Sequence, residues 1–343
     1  MAVIGVLTAG GDCPGLNAVI RGVVARAEER DSEVLGIRNG WEGLMNGLTV
    51  SLDRDAVRGI LTRGGTILGT SRMDPYVHGD GYASCERTIK ANGIDSLIVI
   101  GGDGTLRSAL KLSEEGLPVV GVPKTIDNDI CGTDITFGFD TAVSIATEAI
   151  DRLATTAEAH NRVIVVEVMG RTKGWIATYA GIAGGADSII IPEYEYNIEE
   201  IVATLRRRHR KGIKYSIVVV AEGVAPPPGF EPVEQKKDAF GFDRLGGVGY
   251  LIAAAIEAGT GFESRVSVLG HVQRGGTPSA FDRVLATRLG VGAADFAVEG
   301  QSGVMAALRS ASIVPVPLSE AVDTIRGVPE QLFETAQSFF LSL

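Results

Sequence analysis

The sequence has little cysteine, little histidine and few aromatic residues. Its 343 residues include 3 cysteines and 4 histidines, and aromatic residues make up 6% of the chain. The cysteines, at positions 13, 85 and 131, are widely spaced, and no Cys-x-x-Cys or cysteine–histidine spacing of a zinc site occurs. These absences exclude a disulfide framework and a structural zinc site, and they predict a reduced, cytoplasmic setting.

Long hydrophobic runs and an excess of basic residues are also missing. No apolar run approaches the roughly 18 residues that a membrane-spanning helix needs. The first residues, MAVIGVLTAGGD, lack the basic region of a signal peptide, and we expect them to form a first strand. The net charge is −10, so nucleic acid and anionic membranes are not expected as partners.

Three well-known nucleotide signatures are absent from the sequence. There is no GxxxxGK[ST] phosphate loop, and no HRD and DFG pair of the protein kinases. No GxGxxG opens a helix after the first strand. The sequence therefore does not predict a P-loop NTPase, a protein kinase or a dinucleotide-binding fold of the usual type.

Apolar strand-like runs instead alternate with segments of helical period. The strand-like runs lie at 3–8, 95–100, 118–122, 162–168, 188–191, 215–221 and 265–269. Helices are expected near 16–27, 140–159, 173–183, 197–211, 247–258 and 279–298, with a long loop at 224–249 and an irregular tail after 298. This alternation predicts an α/β protein with two similar-sized lobes, each a mainly parallel β-sheet flanked by helices.

Polar or glycine-rich clusters follow the first strand and the strands at 95–100 and 118–122, where open α/β sheets bind ligands. Gly10 and Gly11 can turn backbone N–H groups toward an anion ahead of a helix, although a plain tight turn explains them equally well. In Gly101-Gly102-Asp103-Gly104-Thr105, paired glycines admit a phosphate, and Asp103 suits Mg²⁺ unless it merely caps the next helix. This pattern also occurs in lipid kinases and NAD kinases.

The third cluster, Thr125-Ile126-Asp127-Asn128-Asp129, places two carboxylates two residues apart after a buried strand. One carboxylate could accept a hydroxyl proton while the other orients metal-bound water or a neighbouring side chain. Phosphoryl transfer needs such positioning and a modest base. An Asx-rich turn with no chemical role is the alternative.

The second half of the chain carries candidates for binding an anionic sugar. Arg162 and Arg171 lie at the two ends of a strand, and the guanidinium fork suits phosphate, although a single solvated arginine is the more common case. His271, Gln273 and Arg274 precede paired glycines, which indicates a phosphate or sugar clamp. Glu222 ends an apolar strand and could accept from sugar hydroxyls.

Together these motifs resemble the phosphofructokinase family. GGDCPGLNAVIRG, GGDGT, PKTIDND, EVMGR, AEG and GHVQRGG stand in the family's order and approximate spacing, from residue 3 to about 300. The resemblance implies Mg²⁺-assisted transfer of a phosphoryl group from ATP to the 1-hydroxyl of fructose 6-phosphate, giving fructose 1,6-bisphosphate and ADP. It also implies a homotetramer, or a homodimer, with the active site between the lobes.

The resemblance implies a nucleotide lobe at 1–138 plus about 275–320, and a fructose 6-phosphate lobe at 139–274 plus the tail. On the donor side, the resemblance implies that Asp127, in the motif that begins at Thr125, is the base and that Asp103 is the Mg²⁺-linked carboxylate. Arg72 and Arg171 would neutralise the charge of the phosphoryl group during transfer. The implied ATP site consists of Gly10, Gly11, Arg72, Gly102, Asp103, Gly104 and Thr105.

On the acceptor side, the resemblance assigns sugar contacts to Thr125, Asp127, Met169, Gly170, Arg171, Glu222 and His271, and the grip on the 6-phosphate to Arg162, Arg265 and Arg274. In the family, the residues matching Arg162 and Arg265 reach in from a neighbouring subunit.

The donor signature is mixed. Gly104 is the residue of ATP users, where pyrophosphate users carry aspartate, yet Lys124 is typical of pyrophosphate enzymes. An aspartate at 104 would repel the α-phosphate of ATP, whereas an ammonium on a flexible stem can swing toward a terminal phosphate or away from it. We therefore predict ATP as donor, with a pyrophosphate-dependent transferase as the alternative. A non-catalytic sugar-phosphate sensor should have lost Asp103 or Asp127, and both are intact.

Overall fold

The computed structural model of the chain describes residues 2–77, 79–230 and 246–340, without the side chains of residues 339 and 340. The chain divides into two compact units. The first unit comprises Met1–Thr141 and Arg274–Arg326, and the second comprises Ala142–Gln273 and Gly327–Leu343. The chain therefore crosses from one unit to the other three times.

The strands, in chain order, are β1 (Val3–Thr8), β2 (Glu33–Ile37), β3 (Thr49–Leu52), β4 (Ser96–Gly101), β5 (Val119–Pro123), β6 (Val163–Val168), β7 (Ser188–Ile190), β8 (Ser216–Ala221), β9 (Ser264–Val268), β10 (Val304–Arg309) and β11 (Ser312–Pro317).

The helices are α1 (Leu16–Glu29), α2 (Gly40–Asn46), α3 (Gly81–Ala91), α4 (Asp103–Glu114), α5 (Phe139–His160), α6 (Trp175–Ala183), α7 (Ile198–Arg210), α8 (Val248–Thr260), α9 (Ala280–Val298), α10 (Leu318–Asp323) and α11 (Glu330–Phe340), with a 3₁₀ turn at Gly270–Arg274 before α9. In the part of the chain that is described, no helix has the length and apolar character that crossing a membrane requires.

The first unit contains a seven-stranded sheet in the order β11-β10-β5-β4-β1-β2-β3. Strands β10, β5, β4, β1 and β2 run parallel, while β3 and β11 are antiparallel strands at the two edges. Central strands β4 and β5 are buried along their whole length, as expected for parallel strands covered on both faces. The carboxyl ends of β1, β4 and β5 consequently meet at one edge of the sheet.

Helices α1 and α9 pack closely in this unit because glycines remove side chains from the contact. A Cβ at Gly22 would lie 2.6 Å from the carbonyl oxygen of Thr287, and one at Gly290 would lie 2.3 Å from that of Val19. Both distances are too short for any side chain, so these two glycines set the approach of the helices.

The second unit contains a four-stranded sheet in the order β7-β8-β6-β9, with all strands parallel. Strands β6 and β8 lie at its centre and are buried at every position. The two sheets confirm the predicted α/β class with mainly parallel sheets.

Two expectations about secondary structure need correction or restriction. The tail after residue 298 is not irregular, because it forms β10, β11, α10 and α11. Strand β11 contains two prolines, Pro315 and Pro317, and it lies at the edge of the sheet, where a missing N–H is tolerated. Of the loop expected at 224–249, residues 231–245 lie outside the described residues, and Val248 already begins α8.

Candidate active site

Three loops of the first unit are tied together at the carboxyl edge of its sheet. The backbone N–H of Ala9 donates to the carbonyl of Ile100 over 3.0 Å, and that of Lys124 donates to Gly101 over 2.9 Å. These bonds join the loops after β1, β4 and β5. The edge therefore brings together the predicted residues Gly10, Gly11, Gly102, Asp103, Gly104, Thr105, Lys124, Thr125 and Asp127.

Arg72 is brought to the same edge by its neighbour. The N–H of Gly10 donates to the carbonyl of Ser71 over 3.0 Å, and the hydroxyl of Thr70 donates back to the carbonyl of Gly10 over 2.6 Å. The Arg72 side chain is exposed. The sequence motifs gave no sign of this pairing, since 60 residues separate Thr70 from Gly10.

Side chains at the glycines after β1 would be in tight contact with their neighbours. Gly10 has φ of +80°, and a Cβ there would lie 3.3 Å from Thr105 Oγ1. A Cβ at Gly11 would lie 3.1 Å from a guanidinium nitrogen of Arg274, which also donates to the carbonyl of Asp12 over 3.1 Å. Arg274, predicted from the resemblance to grip the sugar 6-phosphate, thus lies in the first unit against the glycine loop.

The amino terminus of α4 follows β4 directly, so its unpaired N–H groups face the same edge and suit a phosphate. Asp103, its first residue, accepts from Nε of Arg107 over 3.0 and 3.1 Å. Gly104 is exposed, and a Cβ there would meet no described atom within 4 Å. The space beyond Gly104 is therefore open.

The loops provide little to hold a metal ion by themselves. Among the described residues, no group of three or more His, Cys, Asp or Glu side chains is arranged to hold an ion. In the first turn of α4, Asp103 is the acidic residue. Mg²⁺ normally binds through one or two carboxylates together with substrate phosphates and water, so this donor set fits an ion that arrives with a phosphate donor.

Asp127 is a buried carboxylate with one oxygen to spare. Its residue is 6% exposed, and Oδ1 accepts no hydrogen bond from any described residue. Its backbone N–H donates to Thr125 Oγ1 over 3.0 Å, and Thr136 Oγ1 donates to the carbonyl of Thr125 over 2.9 Å. An unpaired buried oxygen costs free energy. Asp127 Oδ1 can therefore accept a hydrogen bond from a ligand.

Lys124 is held in place, which differs from the mobile stem expected from the sequence. Its side chain is buried, and the ammonium donates to the carbonyl of Gly11. Burial lowers the pKa of Lys124, and the positive charge of Arg274 acts in the same direction. Burial raises the pKa of the adjacent Cys13, so that thiol stays protonated and serves packing.

In the second unit, residues after β6 and β8 meet at the carboxyl edge of the sheet. Glu222 Oε1 accepts from the backbone N–H of Gly170 over 3.3 Å and of Arg171 over 3.0 Å. Gly170 has φ of +148°, and a Cβ there would lie 2.4 Å from the carbonyl of Lys173, so only glycine fits. Met169 is buried beside it, and the exposed His271 follows β9 at the same edge.

Arg162 and Arg265 lie at the opposite, amino edge of that sheet. Both guanidinium groups pair with the carboxylate of Glu263, Arg162 through Nε at 2.8 Å. Strand β6 has six residues, so about 20 Å of strand separates Arg162 from Met169 at ~3.3 Å per residue. The structure thus separates these two predicted phosphate ligands from the sugar-contact residues of the same chain.

Two charged residues were not singled out by the sequence. Glu263 forms ion pairs with both Arg162 and Arg265. It belongs to no motif and to no apolar periodicity that would single it out in the sequence. Glu167, 1% exposed within β6, accepts from the N–H groups of Gly247 and Gly249, each over 2.8 Å. In the sequence, a carboxylate inside an apolar strand was the signal that could have identified Glu167. Through its bonds to Gly247 and Gly249, the Glu167 carboxylate fixes the amino terminus of α8.

These features define an α/β protein whose first unit brings glycine-rich loops, a helix amino terminus and a buried carboxylate to one edge of its sheet. Comparison with known proteins identifies it further: the phosphofructokinase family matches residues 3–297. The chain belongs to that family.

Full-length relatives carry two different names. The chain is 54% identical over 339 residues to the pyrophosphate–fructose 6-phosphate 1-phosphotransferase of Amycolatopsis methanolica, covering 98% of this chain and 99% of that one. It is 53% identical over 340 residues to the ATP-dependent 6-phosphofructokinase of Corynebacterium efficiens, covering 98% of each. Overall identity therefore does not separate the two donors.

A solved structure shares the fold at moderate identity. The T-state phosphofructokinase of Pichia pastoris has a TM-score of 0.83 and 34% identity over 98% of this chain. The match covers 36% of the Pichia chain, so this chain spans about a third of that relative's length.

Proposed function

We propose that the protein phosphorylates the 1-hydroxyl of fructose 6-phosphate with Mg-ATP as donor, giving fructose 1,6-bisphosphate and ADP. The observation that carries this proposal is the buried Asp127, whose Oδ1 has no hydrogen-bond partner among the described residues and which lies beside the glycine-lined helix terminus. Family membership supports phosphofructokinase chemistry in general. The donor, the metal and the assembly are further parts of the proposal.

In the proposed reaction, Asp127 accepts the proton of the 1-hydroxyl as that oxygen attacks the terminal phosphorus of the donor. The backbone N–H of Asp127 is bonded to Thr125 Oγ1, which limits the reorganisation that the base needs, and general-base catalysis contributes roughly 10²–10⁴-fold. Arg72 and Arg171 neutralise the phosphoryl group in transfer, and N–H groups of Gly11 and of the α4 terminus bind the donor phosphates. Mg²⁺, held by Asp103 and those phosphates, would offset their negative charge.

On the acceptor side, Met169, Gly170, Glu222 and His271 contact the sugar. Glu222 is already oriented by its bonds to Gly170 and Arg171. Arg162 and Arg265 bind the 6-phosphate of a neighbouring subunit's substrate, which the separation of about 20 Å from their own chain's sugar residues supports. Arg274 completes that phosphate site. This arrangement requires an oligomer, for which we propose a homotetramer.

ATP is favoured over pyrophosphate because the space at Gly104 is open. With no described atom within 4 Å of a Cβ there, an α-phosphate and the rest of a nucleotide can continue past the helix terminus. Pyrophosphate remains the second candidate because the buried ammonium of Lys124 lies at the glycine loop, where it can reach a phosphate. Three free thiols and a soluble sugar phosphate as substrate fit a cytoplasmic location.

The deciding experiment measures fructose 1,6-bisphosphate formation by purified protein with Mg-ATP and with Mg-pyrophosphate at matched concentrations. Faster turnover with ATP supports the donor assignment. Faster turnover with pyrophosphate rejects that assignment and leaves the sugar chemistry intact. Binding of fructose 6-phosphate without turnover from either donor would favour the sensor alternative, which the intact Asp103 and Asp127 argue against.

A further inference from the structure

Arg326 contacts the loop that carries Asp127 although 198 residues separate it from Asn128. Its guanidinium donates to the carbonyl of Asn128 over 3.1 and 3.0 Å, and to the carbonyls of Thr133 and Asp134 over 2.8 and 2.7 Å. It donates to the side-chain oxygen of Asn128 as well. Every one of these acceptors belongs to the segment that follows the proposed base.

The backbone of the same region adds further bonds. The N–H of Arg326 donates to the carbonyl of Asp129 over 2.8 Å, and Ile325 forms an antiparallel bridge with Ile130. The segment before α11 therefore lies along the loop like a short extra strand. The guanidinium fork closes the loop by holding both of its ends, since Asn128 begins it and Asp134 lies near its end.

Asn128 is the residue whose conformation this contact fixes. Its φ is +53°, in the left-handed region that asparagine tolerates better than most residues. Its side-chain oxygen also accepts from the N–H of Thr136 over 3.0 Å. Asp127 precedes it directly, and Thr125 Oγ1 holds the N–H of Asp127 from the other side. The direction of the Asp127 carboxylate thus depends on the Asn128 turn.

We propose that Arg326 is a positioning residue for Asp127: by clamping the Asn128 turn, it aims the carboxylate at the reacting hydroxyl. The inference rests on the proposed role of Asp127 as the base. A lysine cannot replace the arginine, because one ammonium lacks the planar fork that reaches the carbonyls of residues 128, 133 and 134 together. Misplacing a reacting group by about 1 Å can cost roughly 10²-fold in rate.

The test compares Arg326→Lys and Arg326→Ala with the control Arg288→Ala. Arg288 is an exposed arginine of the same unit that donates to one carbonyl, that of Ala311. We expect kcat of both Arg326 variants to fall by roughly 10²-fold, with the KM for fructose 6-phosphate little changed. Millimolar guanidinium should restore part of the kcat of Arg326→Ala. Arg288→Ala should behave as wild type and gain nothing from guanidinium.

A second readout does not depend on activity. Hydrogen exchange of the Thr136 amide reports the turn, because that N–H is bound to Asn128. Exchange should be faster in Arg326→Lys than in wild type and unchanged in Arg288→Ala. If Arg326→Ala does not fold, Arg326→Lys carries both measurements. An unchanged kcat with faster exchange, or a reduced kcat with unchanged exchange, would overturn the inference.

Failure of the proposed function gives a different pattern. If Asp127 is not the base, Asp127→Asn retains near wild-type turnover, whichever kcat the Arg326 variants show. If Asp127→Asn is inactive while both Arg326 variants keep wild-type kcat, only the positioning role is rejected.

Discussion

The charged groups at the carboxyl edge of the first unit and at the amino edge of the second unit stand in opposite surroundings. Asp127 and Lys124 are 6% and 4% exposed. The N–H of Asp127 donates to Thr125 Oγ1, and the ammonium of Lys124 donates to the carbonyl of Gly11. The side chains of Arg162, Glu263 and Arg265 are 28%, 42% and 57% exposed. Exposed ion pairs contribute little free energy, so separating the two arginines from Glu263 should cost little. This difference fits the proposed function, in which the first cluster carries out the chemistry and the second binds the sugar phosphate.

The largest effect is expected from a substitution of Asp127. Asp127→Asn keeps the size and burial of the side chain but removes the base, so kcat should fall by roughly 10²–10⁴-fold. The affinity for fructose 6-phosphate should change much less. Steady-state kinetics measure both quantities, and Asp134→Asn in the same loop serves as control, because the Asp134 carboxylate accepts from the backbone N–H of Ser310 and has no proposed part in the reaction. A variant with near wild-type kcat would remove Asp127 from the mechanism.

The donor end of the first cluster is tested by Gly104→Asp. The open space at Gly104 accommodates the side chain, so the fold should persist while the new charge opposes the α-phosphate of ATP. At ~4 Å and an effective dielectric constant near 20 this repulsion is about 4 kcal/mol, and exposure of Gly104 reduces it. Turnover with ATP should therefore fall by about 10²-fold or more. The ratio of pyrophosphate to ATP turnover should rise.

Gly104→Ala is the matched control, because it adds a Cβ without charge. It should retain ATP turnover within a few-fold. Equal losses in Gly104→Ala and Gly104→Asp would show that backbone freedom, rather than charge, matters at this position.

Much of the first unit's edge was predictable from the sequence because each of its motifs follows a buried strand. Parallel strands bring their carboxyl ends together whatever the details, so GGD, GGDGT and TIDND could be assigned to one edge in advance. The roles that family resemblance gives to these residues stay predictions. The tail was mispredicted because β11 contains two prolines and pairs only with β10, a contact that local pattern does not reveal.

Contacts between distant parts of the chain could not be predicted from one sequence. Arg326 lies 198 residues from Asn128, and Arg162 lies 101 residues from Glu263. Neither pair belongs to a motif or a helical period, and each joins segments that are far apart in the sequence. The burial of Lys124 is a similar case, since a lysine after a strand is usually a solvated residue.

The second cluster is tested by Arg162→Ala. Loss of one charge-assisted bond to phosphate costs about 1.5–3 kcal/mol, which corresponds to roughly 10–10²-fold in fructose 6-phosphate affinity. Co-expression of Asp127→Asn with Arg162→Ala chains should recover part of the activity, because some hybrid sites would combine an intact base with an intact arginine. Activity of purified hybrids compared with each parent measures this. No recovery in hybrids of proven composition would show that one chain builds each site.

The smallest expected effect is on stability and concerns Lys124→Met. A buried ammonium loses hydration, which is why burial lowers its pKa, and a thioether of similar length carries no such cost. Loss of the hydrogen bond to the Gly11 carbonyl acts in the opposite direction, but Gly11 is only half-buried, and water can replace the lysine there. The gain from removing the buried charge should exceed the loss of this hydrogen bond. We expect Lys124→Met to raise Tm by about 2–4 °C, equivalent to ~1 kcal/mol in a unit of this size.

The pH dependence of that gain follows from the direction of the pKa shift. A lysine whose folded pKa is lowered destabilises the native state most below that pKa, where the unfolded and folded chains would both carry the proton. As pH rises from the lowered pKa toward the ordinary value near 10.5, the folded state sheds the proton first and the penalty disappears. The Tm difference between Lys124→Met and wild type should therefore be largest at neutral pH and narrow in the alkaline range. Thermal unfolding across that range measures it, and a gap that widened with pH, or a variant less stable at neutral pH, would mean that the ammonium is stabilised by its surroundings instead of strained by burial.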